Sequence, residues 1–284
     1  MTARSNHRPA RPFLKWAGGK GQMLAQYEAF FPAGPGGAYF EPFVGSGAVF
    51  FHLQPRNLFE RYVLSDANVE LVNLYQVVRD QPDALLDCLR EHDACHSADH
   101  YYAVRALDRD PEWANASPLE RAARMLYLNR TCYNGLWRVN GRGHFNVPLG
   151  RYRQPDIYRP EKIRAASRAL QAATLSAQPF DAVLECAQPG DFIYFDPPYV
   201  PVSETANFTH YSADSFGEAE QQRLAEVFAA LAARGCQVML SNSDTPLVRE
   251  LYADFRIERV NARRAINSKA GRRGAVYEVV VLSG

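Results

Sequence analysis

A hydrophobic run, Asp191-Phe192-Ile193-Tyr194-Phe195, stops abruptly at Asp196-Pro197-Pro198-Tyr199. Neither proline can donate to a strand ladder and each fixes its own φ, so a strand must end here with the Asp196 carboxylate and the nearby carbonyls held rigidly. A carboxylate beside a carbonyl offers two acceptors, and Tyr199 adds a flat ring next to them. That set suits an exocyclic amino group on a planar base. The plainer alternative is a strand-to-loop turn without chemistry, and the rest of the sequence weighs against it.

A second constellation lies upstream. Glu41-Pro42-Phe43-Val44-Gly45-Ser46-Gly47 follows a short apolar run and precedes a helical one, where glycines let the backbone turn sharply and approach a ligand closely. Asp66, about twenty residues on, ends the next strand, where its carboxylate can accept hydrogen bonds from ribose hydroxyls. A dinucleotide fingerprint wants a third glycine, but Phe50 stands in its place. The turn therefore fits a nucleoside cofactor without a phosphate cradle, such as S-adenosylmethionine. A purely structural strand-to-helix turn is the competing reading.

These segments need a scaffold that presents strand ends together. Ala38 to Glu41 and Tyr62 to Ser65 read as strands, and Ser46 to Leu53 and Asn68 to Arg79 as helices, a βαβα pattern. From about 81 to 170 strand signals vanish. Helical stretches at Ala84 to Arg90, Tyr101 to Leu107 and Leu119 to Asn129 lead into a loop region rich in Gly, Asn and Arg, which suggests an inserted second domain. Alternation resumes with a strand over Phe192 to Phe195, a helix over Glu218 to Ala233 closed by Gly235, and a strand over Gln237 to Ser241. Phe255 to Val260 and Ala275 to Leu282 are expected to pair antiparallel. The expected architecture is α/β, with residues 1–80 and 171–284 sharing one mixed sheet and residues 81–170 forming a mainly helical insert.

At 284 residues, with 47% hydrophobic and 12% aromatic side chains, the chain can bury a large core. No apolar run approaches the roughly 20 residues that cross a bilayer, and the five widely spread cysteines fit a reducing compartment. A cytoplasmic protein is expected. Cys88, His92, Cys95 and His96 fall at helical spacing, but a zinc site normally draws ligands from two segments and no second pair is evident, so no metal is expected. The net charge of +1 conceals segregation. Residues 65–120 hold twelve acidic and four basic side chains, residues 121–164 ten basic and two acidic, and the stretches Arg4 to Lys20 and Arg259 to Arg273 carry five and six cations without an acid. Gathered on one side, the basic segments would form a groove for a polyanion, with the acidic remainder facing away.

With both motifs in place, the chain resembles the Dam family of DNA adenine-N6 methyltransferases almost end to end, in the motif order that puts the cofactor segment first and the DPPY segment last. The resemblance is carried by Phe13 to Lys20 (FLKWAGGK), Glu41 to Phe50, Asn129 to Arg138 (NRTCYNGLWR) continuing to Phe145-Asn146-Val147-Pro148, Thr205 to Thr209, and Ile266 to Lys269. It implies a Rossmann-like S-adenosylmethionine-binding domain with an inserted target-recognition domain, acting on double-stranded DNA without an obligate protein partner. Trp16 and Lys20 would help to hold the cofactor. Glu41, Phe43, Gly45 and Gly47 would face its methionine portion, Asp66 its ribose and Phe180 its adenine, with Asp196 bordering both cofactor and base.

Asp196, Pro197, Pro198 and Tyr199 would carry the chemistry. Hydrogen bonds from the target amino group to Asp196 and a proline-segment carbonyl would favour the nucleophilic form of N6, and Tyr199 would stack on a base flipped out of the duplex. The loop from Tyr133 to Tyr152 is expected to read sequence, with Tyr133 a wedge, Asn134 and Leu136 against bases, and Arg138 bidentate on a guanine. Pro148, Arg151, Tyr152 and the segment holding Asn267, Ser268 and Lys269 complete the DNA surface, the arginines on phosphates. GATC is the expected target. N4-cytosine methyltransferases commonly carry serine where Asp196 stands, and a non-catalytic DNA-binding relative would have lost one of the two motifs.

Overall fold

The computed structural model describes residues 9–202, 216–262 and 276–284. Seven strands, β1 (Gly36–Glu41), β2 (Phe59–Asp66), β3 (Ala173–Ala177), β4 (Phe192–Phe195), β5 (Gln237–Ser243), β6 (Arg256–Ala262) and β7 (Val276–Leu282), form one sheet in the order β3-β2-β1-β4-β5-β7-β6. Strands β3 to β5 run parallel, and β7 is antiparallel to both of its neighbours. This is the α/β mixed sheet that the alternation of elements predicts, including the antiparallel pair near the end. Strand order reverses between β1 and β4, and ligands of such sheets enter at the carboxyl ends of the strands flanking the reversal. Glu41 ends β1 and Asp196 follows β4, so both motifs open into the same crevice.

Period-two alternation divides the core between the two faces of the sheet. Tyr39, Tyr62, Leu64, Phe192, Tyr194 and Met239 belong to one apolar cluster, while Ala38, Phe40, Ile193, Phe195, Val238 and Leu240 belong to the other. Both faces are covered, which is why the strands read as continuous apolar runs. The second face packs on α8 (Glu218–Ala233) and α9 (Pro246–Leu251). The first receives α2 (Ala48–Leu53), after the short α1 (Leu24–Tyr27), and α3 (Val69–Asp80), whose Asn68 cap accepts from the Leu71 amide.

Four helices extend that first face, α4 (Pro82–Ala94), α5 (Ala98–Ala106), α6 (Pro118–Thr131) and α7 (Pro160–Leu170). They contribute Leu85, Leu89, Tyr101, Leu126, Ile163 and Leu170 to the same apolar cluster as the sheet. Ser117 and Glu120 form a reciprocal capping box at the start of α6. Four of these elements have no counterpart in the sequence reading, the short helices α1 and α9, helix α7 and the edge strand β3. Strand β4 has the bounds read for it, and Asp191 just before it is a buried lock, its carboxylate accepting from the amides of Ala38 (2.6 Å) and Gln188 (2.8 Å). Among the described residues no helix is long and apolar enough to cross a membrane.

The charge segregation is partly consumed inside this fold. Arg121 pairs with Glu70, Arg124 with Asp108 at 2.7 Å and Arg164 with Asp83 at 2.9 Å, so cations of the basic segment neutralise acids of the acidic one. Those acids do not face away from the basic residues.

The histidines of the Cys-His cluster group around Tyr127. His92 stacks on its ring with centroids 4.6 Å apart and meets His100 at 3.0 Å, and His96 Nδ1 lies 2.9 Å from its hydroxyl. Burial, then the neighbouring His100, holds the His92 pKa down to about 4 from its ordinary 6.5. Between those two values the unfolded chain binds the proton and the folded one does not, so stability falls as the pH falls through this window. Urea unfolding at pH 7 and pH 5 should show that loss, and His92→Phe should reduce it by about 1 kcal/mol or less, allowing for solvent screening. An undiminished loss in the variant would exclude His92 as its source.

Candidate active site

Asp196 sits just beyond the last residue of β4, as the proline pair requires. Lys20 approaches it from a one-turn helix over Lys20–Gln22, its Nζ 2.9 Å from Asp196 Oδ1, 2.7 Å from the Gly18 carbonyl and 4.3 Å above the Tyr199 ring. Lys20 is only 5% exposed and Asp196 20%. Ser241 on β5 donates to the same Oδ1 at 3.0 Å, and the Tyr194 hydroxyl lies 2.9 Å from Ser241 Oγ. Because Ser241 Oγ gives its proton to Asp196, it accepts from Tyr194. Loss of water raises the Asp196 pKa above the usual carboxylate range, and Lys20 followed by Ser241 pulls it back. Both contacts fall on Oδ1, so Oδ2 has no partner among the described residues.

The two prolines are braced from behind. Gln221 on α8 donates to the Pro198 carbonyl at 2.9 Å and accepts from Asn242 at 3.0 Å, while Asn242 Oδ1 accepts from the Val200 amide at 3.1 Å. The Pro197 carbonyl has no such partner among the described residues. The Tyr199 hydroxyl donates to Glu278 of β7 at 2.8 Å, pinning the ring at its edge. The sequence reading missed Ser241, Asn242, Gln221 and Glu278. A polar triplet, Ser241-Asn242-Ser243, closing an apolar strand and a lone acid in the run Val276 to Leu282 were the available signals.

The glycine turn stands across the crevice. Gly45 has φ 46° and Gly47 φ 65°, left-handed values that favour glycine. A Cβ on Gly45 would lie 2.9 Å from the Trp16 ring, and one on Gly47 would lie 2.9 Å from the Tyr75 hydroxyl. Asp66 Oδ2 accepts from the Gly45 amide at 3.2 Å and Oδ1 from the Asn68 amide at 2.9 Å, tying the carboxylate to the turn. Each oxygen keeps a lone pair for a hydroxyl donor. Glu41 is buried, with Oε2 accepting from the Tyr39 hydroxyl at 2.7 Å and the Phe50 amide at 3.1 Å, and burial pushes its pKa up to about 8. It therefore supports the start of α2 as well as bordering the crevice. Phe43 stacks on Phe180 with centroids 5.5 Å apart, and Phe216 closes on both edges.

The Asn129 to Pro148 segment starts inside the protein and ends at its surface. Asn129, 1% exposed, accepts from the Lys15 amide at 2.9 Å and donates to the carbonyls of Lys15 (2.6 Å) and Gly135 (3.0 Å). Cys132 is buried and its thiol pushed up to about 11, an unreactive state for a nucleophile. Beyond it Tyr133, Asn134 and Arg138 are exposed, Leu136 is half-buried, and Pro148, Arg151 and Tyr152 are exposed. Arg138 Nε donates to Asn146 Oδ1 at 2.7 Å, which leaves the terminal nitrogens of the fork for another acceptor. Lys15 Nζ lies 4.0 Å above the Tyr152 ring. The expected contacts at Asn267, Ser268 and Lys269, and the Thr205 to Thr209 motif, lie outside the described residues. Among the described residues no group of three or more His, Cys, Asp or Glu is placed to hold a metal ion.

Residues 16–266 match the family model described as D12 class N6 adenine-specific DNA methyltransferase. The chain is 42% identical over 273 residues to the Type II methyltransferase M1.LlaDCHI of Lactococcus lactis subsp. cremoris, covering 95% of this chain and 94% of that one. It is 38% identical over 286 residues to the Type II methyltransferase M.MjaIII of Methanocaldococcus jannaschii, covering 96% and 99%. Against the DNA adenine methylase of Escherichia coli K12 the identity is 40% over 276 residues, covering 96% and 95%.

The tight Gly45–Trp16 approach gives a direct test of the turn. Gly45→Ala should destabilise the protein by about 1–3 kcal/mol in urea unfolding, because a left-handed non-glycine residue and a displaced indole act together. An unchanged midpoint would show that the turn tolerates a Cβ.

Proposed function

The chain belongs to the D12 class of N6 adenine-specific DNA methyltransferases, and from that premise we propose that it methylates N6 of an adenine flipped out of duplex DNA, within GATC, using S-adenosylmethionine. The observation that carries the chemistry is the pair of acceptors at the end of β4, Asp196 Oδ2 and the Pro197 carbonyl, with Tyr199 alongside. The residues present fit the cofactor. The Gly45 turn packed on Trp16 allows close backbone approach, Asp66 has lone pairs for ribose hydroxyls, and no phosphate cradle is needed. Phe43 and Phe180 supply aromatic surface for its base.

When bound, S-adenosylmethionine supplies an electrophilic methyl group on a sulfonium sulfur. The adenine amino nitrogen is a poor nucleophile because its lone pair is delocalised into the ring. Asp196 Oδ2 and the Pro197 carbonyl would each accept one of its N–H groups, favouring a pyramidal nitrogen and offsetting the positive charge that develops there. Lys20 and Ser241, by holding Oδ1, favour the ionised form against the effect of burial and orient the carboxylate. Tyr199, pinned at its edge by Glu278, would stack on the extrahelical base and offset part of the few kcal/mol that flipping costs.

Residues 81–170 are proposed to deliver the DNA to that pocket, against a catalytic part formed by residues 1–80 and 171–284. Tyr133 at 49% exposure is available as a wedge, and the Arg138 fork, braced by Asn146, is available for a guanine edge. Lys15, Arg151 and Arg153 surround these residues with positive charge for phosphates. The GATC assignment is supported by the match of Asn129 to Arg138 with the family's recognition segment.

Incubation of unmethylated DNA with methyl-labelled S-adenosylmethionine, followed by digestion to nucleosides, should place the label in N6-methyladenine. Asp196→Ala should abolish turnover while cofactor binding stays measurable, and near-normal turnover would sink the scheme. Arg138→Ala should relax discrimination at one guanine by ~1–3 kcal/mol in competition between site variants. An unaltered preference would remove Arg138 from the reading role.

A further inference from the structure

Residues 137–144 fold back on themselves, with the Asn140 amide donating to the His144 carbonyl at 2.9 Å and Val139 bridging to Phe145. Beneath this hairpin lies a cavity of about 590 Å³, walled also by the start of α3, the short 3-10 helix Pro111–Asn115 and α6. That volume falls within the roughly 300–1,000 Å³ of small-ligand sites. Asp196, Tyr199, Gly45 and Asp66 take no part in its wall, so it is not the catalytic crevice.

Two half-buried indole rings line it. Trp113 has the Arg124 guanidinium 5.3 Å from its ring centre, and Trp137 packs on Phe145 with centroids 4.9 Å apart. Neither indole N–H has a hydrogen-bond partner among the described residues. The carboxylates of the wall are already engaged. Glu70 is paired with Arg121, and Asp108 is held by Arg124 and by the Phe145 amide, each at 2.7 Å. The cations have donors to spare. Arg124 is only 5% exposed and donates through Nε to the Val104 carbonyl and through Nη2 to Asp108 and the Arg105 carbonyl, but its Nη1 has no partner among the described residues. Arg142, exposed at the tip of the hairpin, pairs with no carboxylate of the described residues. Arg138 adds a further positive charge to the same wall.

A cavity whose flat walls are aromatic and whose uncommitted charge is positive suits a planar group that carries an anion. We infer that it binds a nucleotide, with the base against Trp113 and Trp137, a base oxygen on Arg124 Nη1 and the phosphate beside Arg142. The occupant is either an unpaired nucleotide of a DNA strand or a free mononucleotide, and the first of these rests on the DNA methyltransferase reading.

Titration of the full chain with thymidine 5′-monophosphate, followed by tryptophan emission, should show saturable quenching. Arg142→Gln alters an exposed side chain without an ion-pair partner and should leave the melting midpoint unchanged. It should weaken binding of the monophosphate about tenfold, as loss of a charge-assisted contact does, and should not alter binding of thymidine, which has no phosphate. Trp137→Leu should weaken both. The Gln variant also separates the sources. If a duplex with one unpaired thymine binds the parent more tightly than the fully paired duplex, and Arg142→Gln removes that margin, the occupant is a strand nucleotide. If the monophosphate response depends on Arg142 while the two duplexes bind alike, it is a free nucleotide. Quenching indifferent to both substitutions, or no saturable quenching together with equal binding of the two duplexes, overturns the inference. Methyl transfer by the parent chain reports separately on the catalytic reading.

Discussion

The contact between Lys20 and Asp196 holds the N-terminal segment against the end of the fourth strand. Lys20 comes from a segment that precedes the first strand, Asp196 from the end of the fourth, and their atoms meet at 2.9 Å in a crevice that excludes most water. A pair so placed contributes little net stability, because desolvating both charges offsets most of their attraction. Its value is positional. Within six residues the N-terminal segment also packs Trp16 on the glycine turn and is clamped at Lys15 by Asn129, so the glycine turn, the Asn129 segment and the Asp196 carboxylate are all tied to one short stretch of backbone.

Around that stretch the sheet supplies fixed points. Parallel strands β1 and β4 end side by side, which brings Glu41 and Asp196 to one crevice although they are far apart in sequence. Strand β5 places Ser241 and Asn242 behind the prolines, and β7 brings Glu278 to Tyr199. Each group that braces Asp196 and Tyr199 thus comes from a strand or a helix, and little depends on loops.

The legible parts of the sequence were those with strong periodicity or unusual residues. Helix α8 has the bounds read from its pattern, the final antiparallel pair forms as expected, and Pro197-Pro198 marks the end of β4. Strand β3, Ala-Thr-Leu-Ser-Ala, is a short edge strand with few large apolar side chains, so neither alternation nor length distinguishes it. Helix α7 was hidden because its early positions carry Arg159, Lys162 and Arg164, which read as a continuation of a basic loop. Charge counts by segment show where cations are dense along the chain, but pairing across segments, as in Arg124 with Asp108, depends on tertiary packing that a count cannot carry.

Gly135 has a bearing on how this protein can change. Its backbone packs so closely on Lys15 that a methyl group there would fall 2.5 Å from that side chain, and its carbonyl is bound by Asn129. The turn at Gly135 therefore has no room for side-chain variation. Tyr133 and Arg138 around it face solvent and meet no such limit, whereas Asn134, at φ 55°, holds a left-handed backbone that few side chains adopt. Sequence change is accessible on that outer rim, while the fit of this segment against Lys15 stays set by one residue that has no side chain to vary.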